Sequence, residues 1–300
     1  MLRIYTTMFW FSILLVIASA VLLFTYGLNF SADFKGGSVM EFNLQGEKPS
    51  LDDFRNSLAE TGLTDVAVNY TGDSGVILRA KELSETDHQN ILSVLRDKFP
   101  GIEEERFESI GPVIGKELKS KSIKAVSLVL LSVIIYIALV FRKLSRTLSP
   151  WVMGFAAIVA LLHDVIIPLG VFAVLGKFYG VEISAVFVAA VLTILGYSVA
   201  DTVVVFDRVR ENIIKGGSTS SVGGFPAVVH KSIMQTLTRS LNTTFTTLLS
   251  LFAIYVFGGE SIHYFSLALI MGIFLGAYSS IFVASPLLVR WSRSDRRRIS

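Results

Sequence analysis

The sequence predicts a polytopic α-helical membrane protein: six transmembrane helices, with one small α+β domain inserted between the first and second. Three observations carry this prediction. Apolar residues make up 52% of the 300 residues and charged residues only 17%, with a mean hydropathy of +0.61. The apolar residues gather in several runs of about 20, the length that crosses a hydrocarbon layer about 30 Å thick. Between the first and second runs, residues 38–111 have ordinary soluble character, with alternating strand patterns and helix caps. The lipid bilayer is therefore the first partner. A net charge of +3 implies no nucleic acid, and the lack of cysteine excludes disulfides, thiol catalysis and cysteine-held metals.

The first span covers about 8–28. Arg3 precedes it, and Ala18-Ser19-Ala20 imitates a signal-peptidase site, so a cleaved signal peptide is the competing reading. The apolar run continues through Val21-Leu22-Leu23-Phe24, too long for a signal core, which favours an uncleaved helix. Asp33-Phe34-Lys35-Gly36-Gly37 follows at once. A glycine pair permits a tight backbone path where a helix hands over to a strand. A plain turn and a direct functional role both remain open for it.

The soluble stretch reads as strand 39–44, a helix from Leu51 capped by Ser50 with Asp52 and Asp53 in its first turn, and strands 65–70 and 75–79 around Gly72-Asp73-Ser74. A second helix, capped by Ser84, stops near Phe99 at Pro100-Gly101, and strand 104–110 closes the set. The order β-α-β-β-α-β is the split βαβ, ferredoxin-like arrangement. No catalytic constellation lies in it. His88, its only histidine, is expected on an exposed, solvated helix face. A small binding domain fits this stretch better than an enzyme.

Gly111-Pro112-Val113-Ile114-Gly115 is expected to link this domain to the second span, 123–141, which is preceded by Lys116, Lys119, Lys121 and Lys124. The third span, 151–175, holds His163-Asp164 near its middle and Pro168 four residues later. Proline has no N–H, so the Asp164 carbonyl loses its helical partner next to a carboxylate at membrane depth. Both must face protein or water. A structural polar cluster that orients helices is the plainer reading for His163.

The fourth span starts near Ile183 and ends in Gly196–Glu211, GYSVADTVVVFDRVRE. Asp201 therefore lies inside a helix built for lipid, where a charged Asp costs about 2.5–3.5 kcal/mol on insertion scales and needs a compensating role. Asp207, Arg208, Arg210 and Glu211 mark the exit into water. A polar segment follows, about 208–239. Its 216–224 part is Gly/Ser-rich, and its 225–237 part is amphipathic and suited to lie along the membrane surface.

The fifth span, 241–257, carries a polar stripe of Arg239, Asn242, Thr243, Thr246 and Ser250 at helical spacing. Interhelical hydrogen bonding and the wall of a polar path, with Arg239 as counter-charge to Asp201, are both open. The sixth span, 264–288, has a small-residue ridge of Gly272, Gly276 and Ser280 for close packing. The tail from Arg290 to Ser300 carries five arginines.

Basic residues of the short loops set the orientation. Arg3, Arg142, Lys143, Arg146, Arg208, Arg210, Lys215, Lys231, Arg239 and the tail arginines share one side; the other side's short loops have only Lys177. Both termini are expected in the cytoplasm and the α+β domain outside. The domain plan is 1–30 first helix, 31–115 outer domain, 116–290 helices two to six with a cytoplasmic loop near 208–239, and 291–300 basic tail.

No nucleotide-binding motif, phosphate loop or metal spacing occurs, so the residues point to no cofactor, and any energy the protein uses must come from the membrane. A buried Asp suits proton carriage. A cation that moves toward or away from it changes its protonation.

Two motifs carry a resemblance. GYSVADTVVVFDRVREN (196–212), with the upstream DFKGGS (33–38), resembles the SecF family, whose members pair with SecD in bacterial protein export. The likeness runs over almost the whole chain, and the first motif is long and specific. It implies a proton-driven subunit related to the RND transporters, in the bacterial inner membrane. Such a subunit helps emerging preproteins across after or alongside the SecYEG channel. It also implies that Asp201 is the family's intramembrane Asp and Arg239 its Arg at the start of helix five, the latter on a looser local match. Asp164, in an L-H-D-V stretch, is family-like too, and Asp33, Gly36 and Gly37 fall in the family turn. Six helices are half of an RND transporter's twelve, which agrees with a SecD partner. Asn242, Thr243 and Thr246 would line the polar path.

Two further readings stand beside this one. Half of an RND-type efflux transporter for small molecules or lipids would share the buried Asp, but usually carries far larger outer domains. A non-transporting assembly or receptor subunit would need no Asp164, Asp201 or Arg239 at depth unless they only hold helices together.

Overall fold

In the computed structural model, the described residues are 3–45, 49–61, 63, 66–71, 74–142, 149–216 and 224–291. Several sequence features lie outside them: most of the Gly/Ser-rich 216–224 segment, Gly72 and Asp73, Asp65, Lys143, Arg146, and the tail arginines beyond Arg290.

The chain divides into two compact units, 1–29 with 124–300 and 30–123. The smaller unit has α2 (Ala32–Lys35), β1 (Gly37–Leu44), α3 (Leu51–Ala59), β2 (Ala67–Thr71), β3 (Gly75–Ala80), α4 (Glu85–Lys98) and β4 (Ile102–Ile110). The sheet order is β2-β3-β1-β4 with every neighbouring pair antiparallel, which is the expected split βαβ topology. The caps form as the sequence requires. Ser50 accepts from the Asp53 amide, and Ser84 and Asp87 close a reciprocal capping box. Met40, Phe42, Phe54, Leu58, Val76, Leu78, Ile91 and Leu95 make the core between sheet and helices.

His88 corrects its sequence reading. It is 6% exposed, stacks on Phe107 with ring centroids 3.8 Å apart, and bonds Glu104 at 2.7 Å and Glu85 at 3.2 Å. It lies one turn before the buried Ile91 and Leu92, on the inner face of α4. An imidazole can be buried there because both ring nitrogens find carboxylates.

The glycine pair has a geometric cause. Gly36 and Gly37 have φ of +80° and +122°, which L side chains rarely adopt. A Cβ on Gly36 would stand 2.7 Å from the Pro112 Cα, and one on Gly37 2.8 Å from the Ala80 carbonyl oxygen. A Cβ on Gly115 would meet the Gly36 nitrogen at 2.9 Å. The turn thus nests three backbone segments where only hydrogen fits.

Among the described residues, six helices have membrane-crossing length and composition: α1 (Arg3–Tyr26), α5 (Pro112–Val140), α6 (Pro150–Tyr179), α7 (Ala185–Gly216), α8 (Phe225–Phe257) and α9 (Glu260–Ser279). The helix of α9 continues through a π-turn, Ser280–Ala284, to Trp291. Three sequence boundaries shift. Helix α5 begins at Pro112, so the expected linker is helical; proline suits the first helical turn, where its missing N–H costs nothing. Helix α7 continues past the apolar run to Gly216, held by Arg208–Glu211, Asp207–Arg210 and Glu211–Lys215 pairs three and four residues apart. The 225–237 stretch is the first part of α8. Its apolar side, Phe225, Val228, Val229 and Ile233, joins the bundle core with Val205, Phe206, Val209 and Leu288. It therefore does not stand apart as a surface helix.

Candidate functional site

The site begins with close packing. The predicted small-residue ridge of α9 meets α7 position by position. A Cβ on Gly272 would collide with the Ile194 side chain, and one on Gly276 would stand 3.1 Å from the Ser198 Cβ. One turn on, Ser280 donates its hydroxyl to Asp201. The absence of side chains at 272 and 276 is what lets a side chain as short as serine reach across.

Asp201 is partly buried and accepts two hydroxyls. Ser240 Oγ of α8 lies 2.5 Å from Oδ1, and Ser280 Oγ of α9 lies 2.5 Å from Oδ2. Among the described residues, no cation forms an ion pair with it.

Asp164 of α6 is fully buried and has three hydrogen-bond partners. His163 Nδ1 lies 2.8 Å from Oδ1, while Ser198 Oγ of α7 and Ser279 Oγ of α9 lie 2.5 and 2.7 Å from Oδ2. His163 stacks on Tyr278, centroids 5.9 Å apart, and its Nε2 has no hydrogen-bond partner among the described residues. The Tyr278 hydroxyl donates to the Met8 carbonyl and accepts from Ser12 of α1.

A charge at this depth survives only where its acceptor sites are filled. Both carboxylates meet that condition through neighbouring residues of one helix: Ser279 serves Asp164 and Ser280 serves Asp201. Ser198 and Asp201, three apart on α7, bring the two clusters within a turn of each other. The π-turn opens at Ser280, and π-turns frequently mark functional positions. Among the described residues, no group of three or more His, Asp or Glu converges to hold a metal ion.

Asp201 and Asp164 are therefore brought together through Ser279 and Ser280. Arg239 is not part of that cluster. It is exposed, beside a cleft of about 230 Å³ lined with Asp207, Arg208, Glu211, Gln235 and Thr236. Ser240, the next residue, stands at Asp201, where a counter-charge role would place Arg239. Successive helical residues point about 100° apart, so the two cannot face Asp201 at once.

Asn242, Thr243, Thr246 and Ser250 are also exposed in this chain. The Thr243, Thr246 and Ser250 hydroxyls donate to carbonyls of their own helix, at Arg239, Asn242 and Thr246. The buried polar face of α8 is a different row: Ser232, Thr236, Ser240 and Thr244. Asp33, Gly36 and Gly37 belong to the separate turn of the α+β unit.

Sequence reasoning missed Ser198, Ser240 and Ser279 and treated Ser280 only as a packing residue. The adjacent Ser279-Ser280 pair in an apolar span was the available signal.

A family model described as protein export membrane protein SecD/SecF, C-terminal, matches residues 90–294, and one for the SecD/SecF GG motif matches residues 21–46. The chain belongs to the SecD/SecF family. A protein translocase subunit SecF of Thermobaculum terrenum is 42% identical over 96% of this chain and 92% of its own length. A protein translocase subunit SecDF of Brucella abortus is 36% identical over 90% of this chain, which covers 34% of that longer protein.

Among solved structures, a Thermus SecDF, described as a translocon-associated membrane protein, superimposes with a TM-score of 0.81 at 32% identity. The match takes in 96% of this chain and 38% of that one. The chain is thus a protein-export translocase subunit of the SecF type, a multi-pass membrane protein. It spans little more than a third of the fused SecDF chains, whose remainder points to a SecD partner. Its relatives are named as translocase subunits, not as enzymes.

Proposed function

We propose that this chain is the SecF half of a proton-motive-force-coupled motor that assists preprotein translocation. It works with SecD, after or alongside the SecYEG channel, in the bacterial inner membrane. Both termini face the cytoplasm, and the α+β unit lies on the opposite side.

The observation that carries this reading is Asp201: a carboxylate in a membrane-length helix, held by two neutral hydroxyls and, among the described residues, by no cation. Such a group can take up a proton and release it, and each charge moved through 100 mV yields about 2.3 kcal/mol. Arg239 is the sequence neighbour of Ser240. Rotation of α8 exchanges a hydroxyl for a guanidinium at Asp201, and a nearby cation favours the ionised carboxylate. Asp164 is the second proton-bearing group of the path. Asn242, Thr243 and Thr246, exposed in this chain, then form the wall that SecD covers. The Asp33, Gly36 and Gly37 turn sets the entry of the chain into β1.

The test is preprotein translocation into vesicles containing this chain and SecD, wild type against Asp201→Asn, with and without an ionophore. The mutant should match ionophore-treated wild type. A mutant that stays fully active and gradient-sensitive overturns the role of Asp201.

A further inference from the structure

Ser279 and Ser280 share a property that the other serines at the two carboxylates lack. Each hydroxyl has two acceptors in reach. Ser280 Oγ is 2.5 Å from Asp201 Oδ2 and 3.0 Å from the Ala277 carbonyl oxygen. Ser279 Oγ is 2.7 Å from Asp164 Oδ2 and 3.2 Å from the Gly276 carbonyl oxygen. Ser198 and Ser240 have a carboxylate alone as acceptor among the described residues. A hydroxyl carries one hydrogen, so it serves one acceptor at a time but can itself accept.

That arithmetic distinguishes the protonation states. An ionised carboxylate only accepts, so the serine must donate to it. A protonated carboxyl carries one O–H and still accepts at its other oxygen. Where the proton sits on Oδ2, the oxygen that faces Ser279 or Ser280, a serine still pointing its hydrogen there would leave two donors opposed; its hydrogen then turns to the carbonyl three residues back, which is already in place. The carboxyl O–H donates to the serine oxygen, and no atom has to move far.

The backbone at this point departs from the regular α-helix. The π-turn begins at Ser280, and Ser285 returns its own hydroxyl to the Ser280 carbonyl at 2.7 Å. Pro286 follows; in a regular α-helix its ring would press on the Phe282 carbonyl, which a widened turn relieves.

We propose that Ser279 and Ser280 are positioning residues that read the protonation of Asp164 and Asp201, switching each hydroxyl between carboxylate and helix carbonyl. Because the two are adjacent at the α-to-π junction, each carboxylate's state is registered on the same turn of α9. This rests on the reading that the carboxylates take up protons. The titratable and charged groups around them are few. His163 of α6 faces Asp164, with Tyr278 of α9 stacked on the histidine; Asp207 and Arg208 of α7 and Arg239 of α8 lie around the cleft on the Asp201 side.

The test is infrared titration of the full chain in lipid nanodiscs. The Asp201 carboxyl band is assigned by its loss in Asp201→Asn. The Ala277 carbonyl band is assigned from carbonyl-labelled alanine, by its loss in Ala277→Gly. In wild type, the Ala277 band should move to lower wavenumber as the Asp201 band gains intensity. In Ser280→Ala that movement should vanish and the midpoint of the Asp201 band should shift by about one pH unit, the worth of one hydrogen bond to a charged group. The Asp164 band should stay put, and Ser280→Thr should restore wild-type behaviour.

An Asp201 band that titrates while the wild-type Ala277 band stays still overturns the switch and leaves the proton-coupling reading standing, whether or not Ser280→Ala folds. An Asp201 band that never titrates overturns both.

Discussion

Two carboxylates in the apolar bundle meet their burial in different ways. Asp164 is wholly enclosed, hydrogen-bonded to a histidine and two serines; Asp201 is partly enclosed, with two serines as donors. Asp164→Ala would leave His163, Ser198 and Ser279 facing an empty acceptor site. It should lower the stability of the detergent-solubilised chain by about 3 kcal/mol, the scale of breaking a buried charged network. Thermal unfolding followed by circular dichroism measures it, and an unchanged melting temperature refutes the network role.

A second residue-scale expectation concerns the α+β unit. The Gln89 amide, and then His88, hold the exposed Glu85 carboxyl below its ordinary value of 4.5. A carboxylate with a lowered folded value contributes stability above its ordinary value and loses it as pH falls through the lower one. Glu85→Gln should therefore weaken hydrogen-exchange protection at the start of α4 at neutral pH and have no effect once wild-type Glu85 is protonated. Equal protection in the two proteins at neutral pH contradicts this.

At the scale of elements, the missing side chains of glycine set the helix spacing. A Cβ on Gly170 would lie 2.5 Å from the Ser19 Cβ and 2.7 Å from its Cα, so α6 and α1 touch backbone to backbone there. Gly196 of α7 has open space at the same position. Gly170→Ala should destabilise the bundle by about 1–3 kcal/mol through overpacking, while Gly196→Ala should be neutral or stabilising by a fraction of a kcal/mol. Thermal melts of the two single variants decide it; equal behaviour would show that the helices slide apart freely. The Gly37 position is stricter still, since φ of +122° adds backbone strain to the close Ala80 carbonyl.

For the whole molecule, the open expectation is orientation. The short-loop basic residues predict both termini in the cytoplasm and the α+β unit outside. Since the chain has no cysteine, single introduced thiols report cleanly. Asp52→Cys, on the exposed side of α3, should react with an impermeant maleimide in intact cells. Lys215→Cys, at the exposed end of α7, should react only after permeabilisation. The reverse pattern would invert the topology and separate the α+β unit from any role in receiving preprotein on the far side.

The six spans, the split βαβ order and the two carboxylates amid apolar neighbours are legible along the sequence. Each follows from local properties: run length against bilayer thickness, two-residue and 3.6-residue periodicity, and the cost of a charge amid apolar neighbours. The glycine ridge on α9 was legible for the same reason. Which groups meet follows from the packing of the helices. Ser240 and Ser280 reach Asp201 from 39 and 79 residues away, and Ser279 reaches Asp164 from 115. A serine in an apolar run has no local cost that marks it, whereas a charge does. Opposite charges on nearby helices leave an Arg239–Asp201 pair open from sequence alone. The rotation of α8 instead presents Ser240, since the helix turns its Val229, Ile233 and Thr236 side into the bundle and carries Arg239 to the cleft. His88 was misplaced likewise: histidine is neutral in pattern, and its burial depends on Glu104 of a neighbouring strand that only the fold brings beside it.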